Sequence, residues 1–140
     1  MTGEFSLPIR VYIEDTDAGG IVYYVNYLKY LERARTEFMR SLGIERAALS
    51  DQGWMFVVSN LSLQYRHPAR LDDCLEATVR TAGVGGATID FIQTVRLDHT
   101  TLVEGQVQIA CVDRHSGRPR RLNMSIRNPL TSLLREGEIV

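Results

Sequence analysis

The sequence predicts an α+β fold in which an antiparallel sheet of about five strands wraps around one long central helix. Three observations carry this expectation. Residues 27–42 form the strongest amphipathic helical pattern in the chain, one alternating segment precedes it, and four long alternating segments follow it. The later segments are separated by turn-like breaks rather than by further helices. One helix and five such strands have a single economical packing, a curved sheet that buries the apolar stripe of the helix.

The elements follow in order. Ile9, Val11 and Ile13 alternate with Arg10, Tyr12 and Glu14, the period-2 pattern of a half-buried strand, and the acidic, glycine-containing run Glu14 to Gly20 follows as a loop. From Tyr27 the period changes. Tyr27, Leu31, Ala34, Phe38 and Leu42 fall on one stripe, and Leu28 and Met39 widen it. Lys29, Glu32, Arg33, Arg35, Glu37 and Arg40 take the remaining surface, with Asn26 as the expected N-cap and Gly43 as the stop. Trp54, Met55 and Phe56 read as an apolar cluster between helix and sheet.

Four strands then follow. Leu61, Leu63 and Tyr65 alternate with Ser62, Gln64 and Arg66, and Leu75, Ala77 and Val79 alternate with Glu76, Thr78 and Arg80; residues 89–97 and 103–112 supply the rest. Gly83 to Gly86 and Asp98 to Thr101 are turn-like, so the last three strands should form antiparallel hairpins. Residues 128–135 read either as a short terminal helix or as a loose surface run. The outer face of such a sheet would stay exposed in a monomer, so its apolar residues predict self-association.

Composition narrows the function classes. A chain of 140 residues with 44% hydrophobic content fits one domain over 1–140 and is too short for two cores. Lys+Arg 16 against Asp+Glu 17, with no basic run, argues against a nucleic-acid partner. Met1 to Pro8 lacks a basic segment followed by an apolar run, and no stretch approaches the length of an integral membrane segment, so a cytoplasmic location is expected. Cys74 and Cys111 lie in alternating apolar segments and read as buried thiols rather than a disulfide or a metal pair.

The chemistry concentrates in residues 14–27, between the first strand and the helix. Asp15 and Asp17 supply carboxylates, Gly19 and Gly20 permit close backbone approach, and the helix N-terminus offers unpaired N–H groups at the positive end of its dipole. Such a terminus can polarise a carbonyl oxygen while a nearby carboxylate attacks the carbonyl carbon or activates water to do so. The bare parts are also those of an ordinary Asp/Gly turn. A calcium loop is disfavoured because the alternating Asp/Asn ligand pattern is missing, and a phosphate loop because no Gly-Lys-Ser/Thr follows.

The run Val11 to Arg35, VYIEDTDAGGIVYYVNYLKYLERAR, closely resembles the sequence pattern of the 4-hydroxybenzoyl-CoA thioesterase family, whose subunits have the hotdog fold. More narrowly it is similar to the branch of acyl-CoA thioesterases encoded beside the Tol-Pal envelope system of Gram-negative bacteria. The pattern Asp-x-Asp-x-x-Gly-x-Val-x-x-x-x-Tyr is matched by Asp15, Asp17, Gly20, Val22 and Tyr27. Tyr65 to Asp73, YRHPARLDD, resembles a second family block, and the order of elements agrees over nearly the whole chain.

This resemblance implies a homo-oligomer, dimer or tetramer, with active sites between subunits and an acyl-CoA substrate entering there. It implies Asp17 as catalytic carboxylate, nucleophile or general base, with backbone N–H groups near Tyr24 holding the thioester carbonyl. Gly20, Asn26 and His67 are the further substrate-site candidates, and no metal or redox cofactor is implied. The sequence departs from the branch pattern at Tyr24, where many members carry histidine, and at Ile13, where many carry tyrosine. Tyrosine keeps the backbone donor but removes an imidazole from proton transfer.

The other candidates read more simply. His67 beside Pro68 lies at a strand end and near the second block, His99 in a hairpin turn, and His115 before Ser116-Gly117. Asp72 and Asp73 read as turn residues, Tyr23, Tyr27 and Tyr30 as core or interface, and Arg118, Arg120 and Arg121 as a solvated loop. A rival function is a non-catalytic scaffold that binds acyl-CoA or acyl carrier protein. A dehydratase would need a catalytic histidine on the helix or its preceding loop, and the sequence has none there.

Overall fold

The structure is a computed structural model and describes residues 3–44 and 53–139, with side chains as far as residue 134. The chain runs through β1 (Phe5–Arg10), a 3-10 turn (Ile13–Asp15), α1 (Asn26–Ser41), β2 (Trp54–Tyr65), β3 (Cys74–Val84), β4 (Thr88–Leu97), β5 (Thr100–Asp113) and α2 (Met124–Ile139). The strands form one antiparallel sheet in the order β1-β3-β4-β5-β2. The predicted meander is its centre, with β3, β4 and β5 joined by the two predicted turns. The later turn is tight, and Asp98 takes the left-handed conformation (φ 54°) that a two-residue hairpin loop demands.

Helix α1 lies against β1, β3 and β4. It buries Tyr27, Tyr30, Leu31, Ala34, Phe38 and Met39, and the absence of a long side chain at Ala34 lets its axis approach the strands. Phe38 meets Phe91 of β4 edge to face at 6.0 Å, and this contact belongs to one continuous core that also takes Ile126 and Leu130 of α2. The helix ends where Gly43 predicts. Gly43 adopts φ 82°, its N–H donates to Arg40 O (3.0 Å), and Ile44 N–H reaches Met39 O (3.0 Å), closing the last turn. This is the hotdog arrangement, a curved antiparallel sheet around one long helix.

Several expectations are corrected. The first strand covers Phe5–Arg10, and Ile13, read as inward-facing, sits 76% exposed in the 3-10 turn. Trp54 to Phe56 are not a separate cluster but the start of β2, which begins seven residues before Leu61. Of the two readings of residues 128–135 the helical one holds, within the longer α2 packed on β3. Cys111 is buried as expected, whereas Cys74 is exposed, because the alternation that buries Leu75 turns its neighbour outward.

The two sheet edges differ. β1 carries Pro8, whose missing N–H is tolerated at an edge. β2 is twelve residues long, bulged between Val58 and Asn60, and exposes Val57, Val58 and Leu61. Among the described residues no helix is long and apolar enough to cross a membrane.

Candidate active site

The loop between β1 and α1 is held in place by main-chain hydrogen bonds. Asp15 Oδ2 accepts from Tyr12 N–H (2.9 Å), which starts the 3-10 turn. The Asp15 carbonyl then accepts from Tyr23 N–H (2.9 Å) and from Asn26 Nδ2 (2.8 Å). Asn26 is therefore the first helical residue and a brace to the loop rather than the N-cap; that place is taken by Val25, which makes no side-chain cap.

Between these ties lies a tight turn. Asp17 N–H donates to Ile21 O (2.9 Å), Gly20 N–H donates to Asp17 O (3.1 Å), and Gly19 N–H donates to Asp17 Oδ1 (2.8 Å). Gly20 stands at φ 78°, the left-handed region that favours glycine, with nothing within 4 Å of where a Cβ would be. The Asp17 carboxylate is exposed.

The second sequence block closes onto this loop. Val22 N–H donates to Ala69 O (2.8 Å), Leu71 N–H to Gly20 O (3.4 Å), and the buried Ala69 N–H to Tyr27 Oη (2.9 Å). Asp73 Oδ2 holds Arg70 N–H (2.9 Å), and Val11 exchanges main-chain bonds with Asp72 and Asp73. Asp72 takes φ 69° in that turn. Asp72 and Asp73 are thus turn residues, as read, and the two blocks that carry the family resemblance touch in space.

Where they meet is a cleft of about 320 Å³ lined by Ile21, Val22, Tyr24, Tyr27, Tyr65, Arg66, His67 and Pro68. Tyr24 and Tyr65 meet edge to face at 6.1 Å, Tyr27 and Tyr65 lie tilted at 5.7 Å, and Tyr65 Oη donates to Tyr24 O (3.4 Å). Burial pushes the phenol pKa values of Tyr27 and Tyr65 up, so both stay neutral. Of the expected residues the structure brings Tyr24 and His67 together in the wall, with Gly20 and Asn26 bracing the loop behind. Asp17 is in that loop but outside the cleft wall of the single chain.

The helix start supplies donors. Asn26, Tyr27 and Leu28 spend their N–H groups on Tyr23, Tyr24 and Val25 carbonyls in a lead-in turn. Among the described residues, nothing accepts from the N–H groups of Tyr24 and Val25. Such a pair can hold a carbonyl oxygen that gains negative charge. Tyr65 is the site residue that sequence reading passed over as an ordinary strand position; its place at the head of the second block was the available signal. Among the described residues no group of three His, Cys, Asp or Glu is placed to hold a metal ion.

Comparison with known proteins agrees with this fold. Residues 11–130 match the family model of the thioesterase-like superfamily. The chain is 42% identical over 123 residues to the acyl-CoA thioester hydrolase YbgC of Escherichia coli O6:H1, covering 87% of this chain and 92% of that protein. It is 44% identical over 116 residues to the acyl-CoA thioesterase YbgC of Haemophilus influenzae, covering 82% and 85%. A crystal structure of a probable thioesterase from Bartonella henselae superimposes with TM-score 0.80 at 33% identity, covering 86% of this chain and 99% of that one. With a family model spanning the loop, the cleft and the helix between them, the chain belongs to the thioesterase-like superfamily.

Proposed function

We propose that this thioesterase hydrolyses a small or medium acyl-CoA to the free acid and coenzyme A, with Asp17 as the reacting carboxylate. The observation that carries the reading is the pair of unaccepted amides at Tyr24, a residue of the apolar cleft wall, and its neighbour Val25, in the same loop as an exposed carboxylate. The acyl-CoA thioesterases of E. coli and H. influenzae, similar over most of their length, support coenzyme A as the thiol.

The chemistry follows from those parts. The thioester carbonyl oxygen accepts hydrogen bonds from the two amide N–H groups, which stabilise it as it becomes an oxyanion. As general base, Asp17 removes a proton from a water that adds to the carbonyl carbon; as nucleophile, it adds directly and water cleaves the resulting anhydride. In both routes the carbon–sulfur bond breaks and the thiolate leaves. Tyr24 offers no imidazole to assist, so the backbone amides and the carboxylate carry the reaction.

The same reading includes a homo-oligomer acting in the cytosol. The open, apolar edge of β2 supports pairing with a second copy, because a long unpaired strand is a template for another strand. Antiparallel pairing of two β2 strands would set the Trp54 end of one beside the Tyr65 end of the other, bringing a second chain to each cleft.

Asp17 lies outside the cleft wall of one chain, and this favours a second reading, a scaffold that binds acyl-CoA or acyl carrier protein without turnover. A panel of acyl-CoAs and acyl carrier proteins assayed for free thiol separates the two. The enzyme reading expects catalytic thiol release from coenzyme A thioesters; tight binding without release at any chain length would overturn it.

A further inference from the structure

One buried polar group has no use in the chemistry above. Tyr30, on the second turn of α1, is 1% exposed, and its ring meets Tyr27 edge to face at 6.0 Å. Its hydroxyl is buried and finds no hydrogen-bond partner among the described residues. Buried hydroxyls are nearly always bonded, and a phenylalanine would fill this space without that penalty.

The group nearest in the fold to this hydroxyl is Asp15: Asn26, one turn before Tyr30 on the same face of α1, donates its Nδ2 to the Asp15 carbonyl (2.8 Å). After burial itself, the Asp15 carboxylate, acting as acceptor and as negative charge, pushes the Tyr30 phenol far above its ordinary pKa, so the phenol is a neutral donor. The contact stops short of a formed hydrogen bond. Asp15 is also the knot of the loop. Its Oδ2 holds Tyr12 N–H, and its carbonyl holds Tyr23 and Asn26, which flank the free amides of Tyr24 and Val25. The Asp17 turn hangs between these ties.

We infer that Tyr30 Oη–H closes onto the Asp15 carboxylate in the working enzyme and fixes the Asp17 turn relative to the Tyr24 and Val25 amides. Asp15 and Tyr30 are then positioning residues, acting through the spacing of carboxylate and donors; neither touches the acyl group. This rests on the reading of Asp17 given above. A displacement of about an ångström at reacting groups can slow turnover by a hundredfold, so loss of the latch should appear in kcat and leave KM nearly unchanged.

The experiment compares Tyr30→Phe, Asp15→Ala, their double variant, Asp15→Asn and Asp17→Asn. Thiol release is measured from butyryl-, octanoyl- and benzoyl-CoA, with thermal melts alongside. Tyr30→Phe should melt no lower than the unmodified protein yet lose about tenfold or more in kcat. The double variant should be no slower than the worse single variant, because both remove one interaction. Asp15→Asn, whose amide oxygen can still accept from both donors, should recover most of the Asp15→Ala loss. Unchanged kcat in Tyr30→Phe, or losses that multiply in the double variant, would overturn the latch. If Asp17→Asn also keeps its turnover, the reading of Asp17 falls instead; an inactive Asp17→Asn beside a fully active Tyr30→Phe removes the latch alone.

Discussion

Tyr27→Phe isolates one of the contacts that join the two halves of the site, the buried side-chain one. The ring stays, so its edge-to-face packing on Tyr30 and its tilt against Tyr65 are retained. What goes is the hydroxyl that accepts from Ala69 N–H at 2.9 Å. Ala69 is 0% exposed, so water cannot replace the acceptor. Leaving a buried N–H without a partner costs about 2 kcal/mol. For a chain of 140 residues that corresponds to a fall in Tm of about 7 °C. Because burial raises the Tyr27 pKa, the phenol is un-ionised across the neutral range and the loss should not vary with pH there. Circular-dichroism melts of the two proteins give the number. A Tm within about one degree of the unmodified protein would refute the claim that this bond stabilises the junction.

Other perturbations test the frame around it. A Cβ at Gly105 would collide with the Leu63 side chain and lie 3.2 Å from Ser62 O, so Gly105→Ala should cost about 1–3 kcal/mol in chemical denaturation. Asp113 is held below the usual carboxylate range by the N–H groups of Ser116 and His115. Its contribution is therefore present above the ordinary carboxylate pKa and is lost as pH falls through the depressed folded value. The stability gap between the protein and Asp113→Ala should be full at neutral pH and narrow on acidification, as melts across acid pH would read. Val58→Lys places a charge beside the bulge of the β2 edge, where Val58 is 50% exposed. Sedimentation should show loss of the proposed homo-oligomer, and an assembly unchanged by the substitution would exclude pairing through that edge.

Much of this fold is written in local periodicity. The α1 stripe is legible because Leu31, Ala34 and Phe38 repeat at helical spacing, and β3 to β5 because alternation stops at glycine-rich or Asp-containing turns. The front half of β2 was hidden because Trp54 to Val58 is a continuous apolar run with no alternation to betray a strand. Ile13 misled for the opposite reason. The alternation continues past Arg10, but the Asp15 carboxylate captures Tyr12 N–H and turns the chain away from the sheet.

At the site, the acidic loop and the helix start could be read locally. Its closure could not. Asn26 looks like a cap until the loop folds back and offers the Asp15 carbonyl to its side chain. Tyr65 joins the cleft only because β2 ends beside Tyr24, some forty residues away in sequence. The Tyr27 to Ala69 bond spans a similar distance, and nothing in either segment alone announces it.

The proposed cleavage of the thioester by one carboxylate and two main-chain donors is tested most directly by single-turnover release of coenzyme A by Asp17→Asn, with far-UV spectra and melts confirming that the fold is intact. Asparagine can still accept the Gly19 N–H that Asp17 Oδ1 accepts at 2.8 Å, so the turn should survive while the charge is lost. The rate should fall by about a hundredfold or more, with binding of acyl-CoA retained. Release at close to the unmodified rate would contradict it.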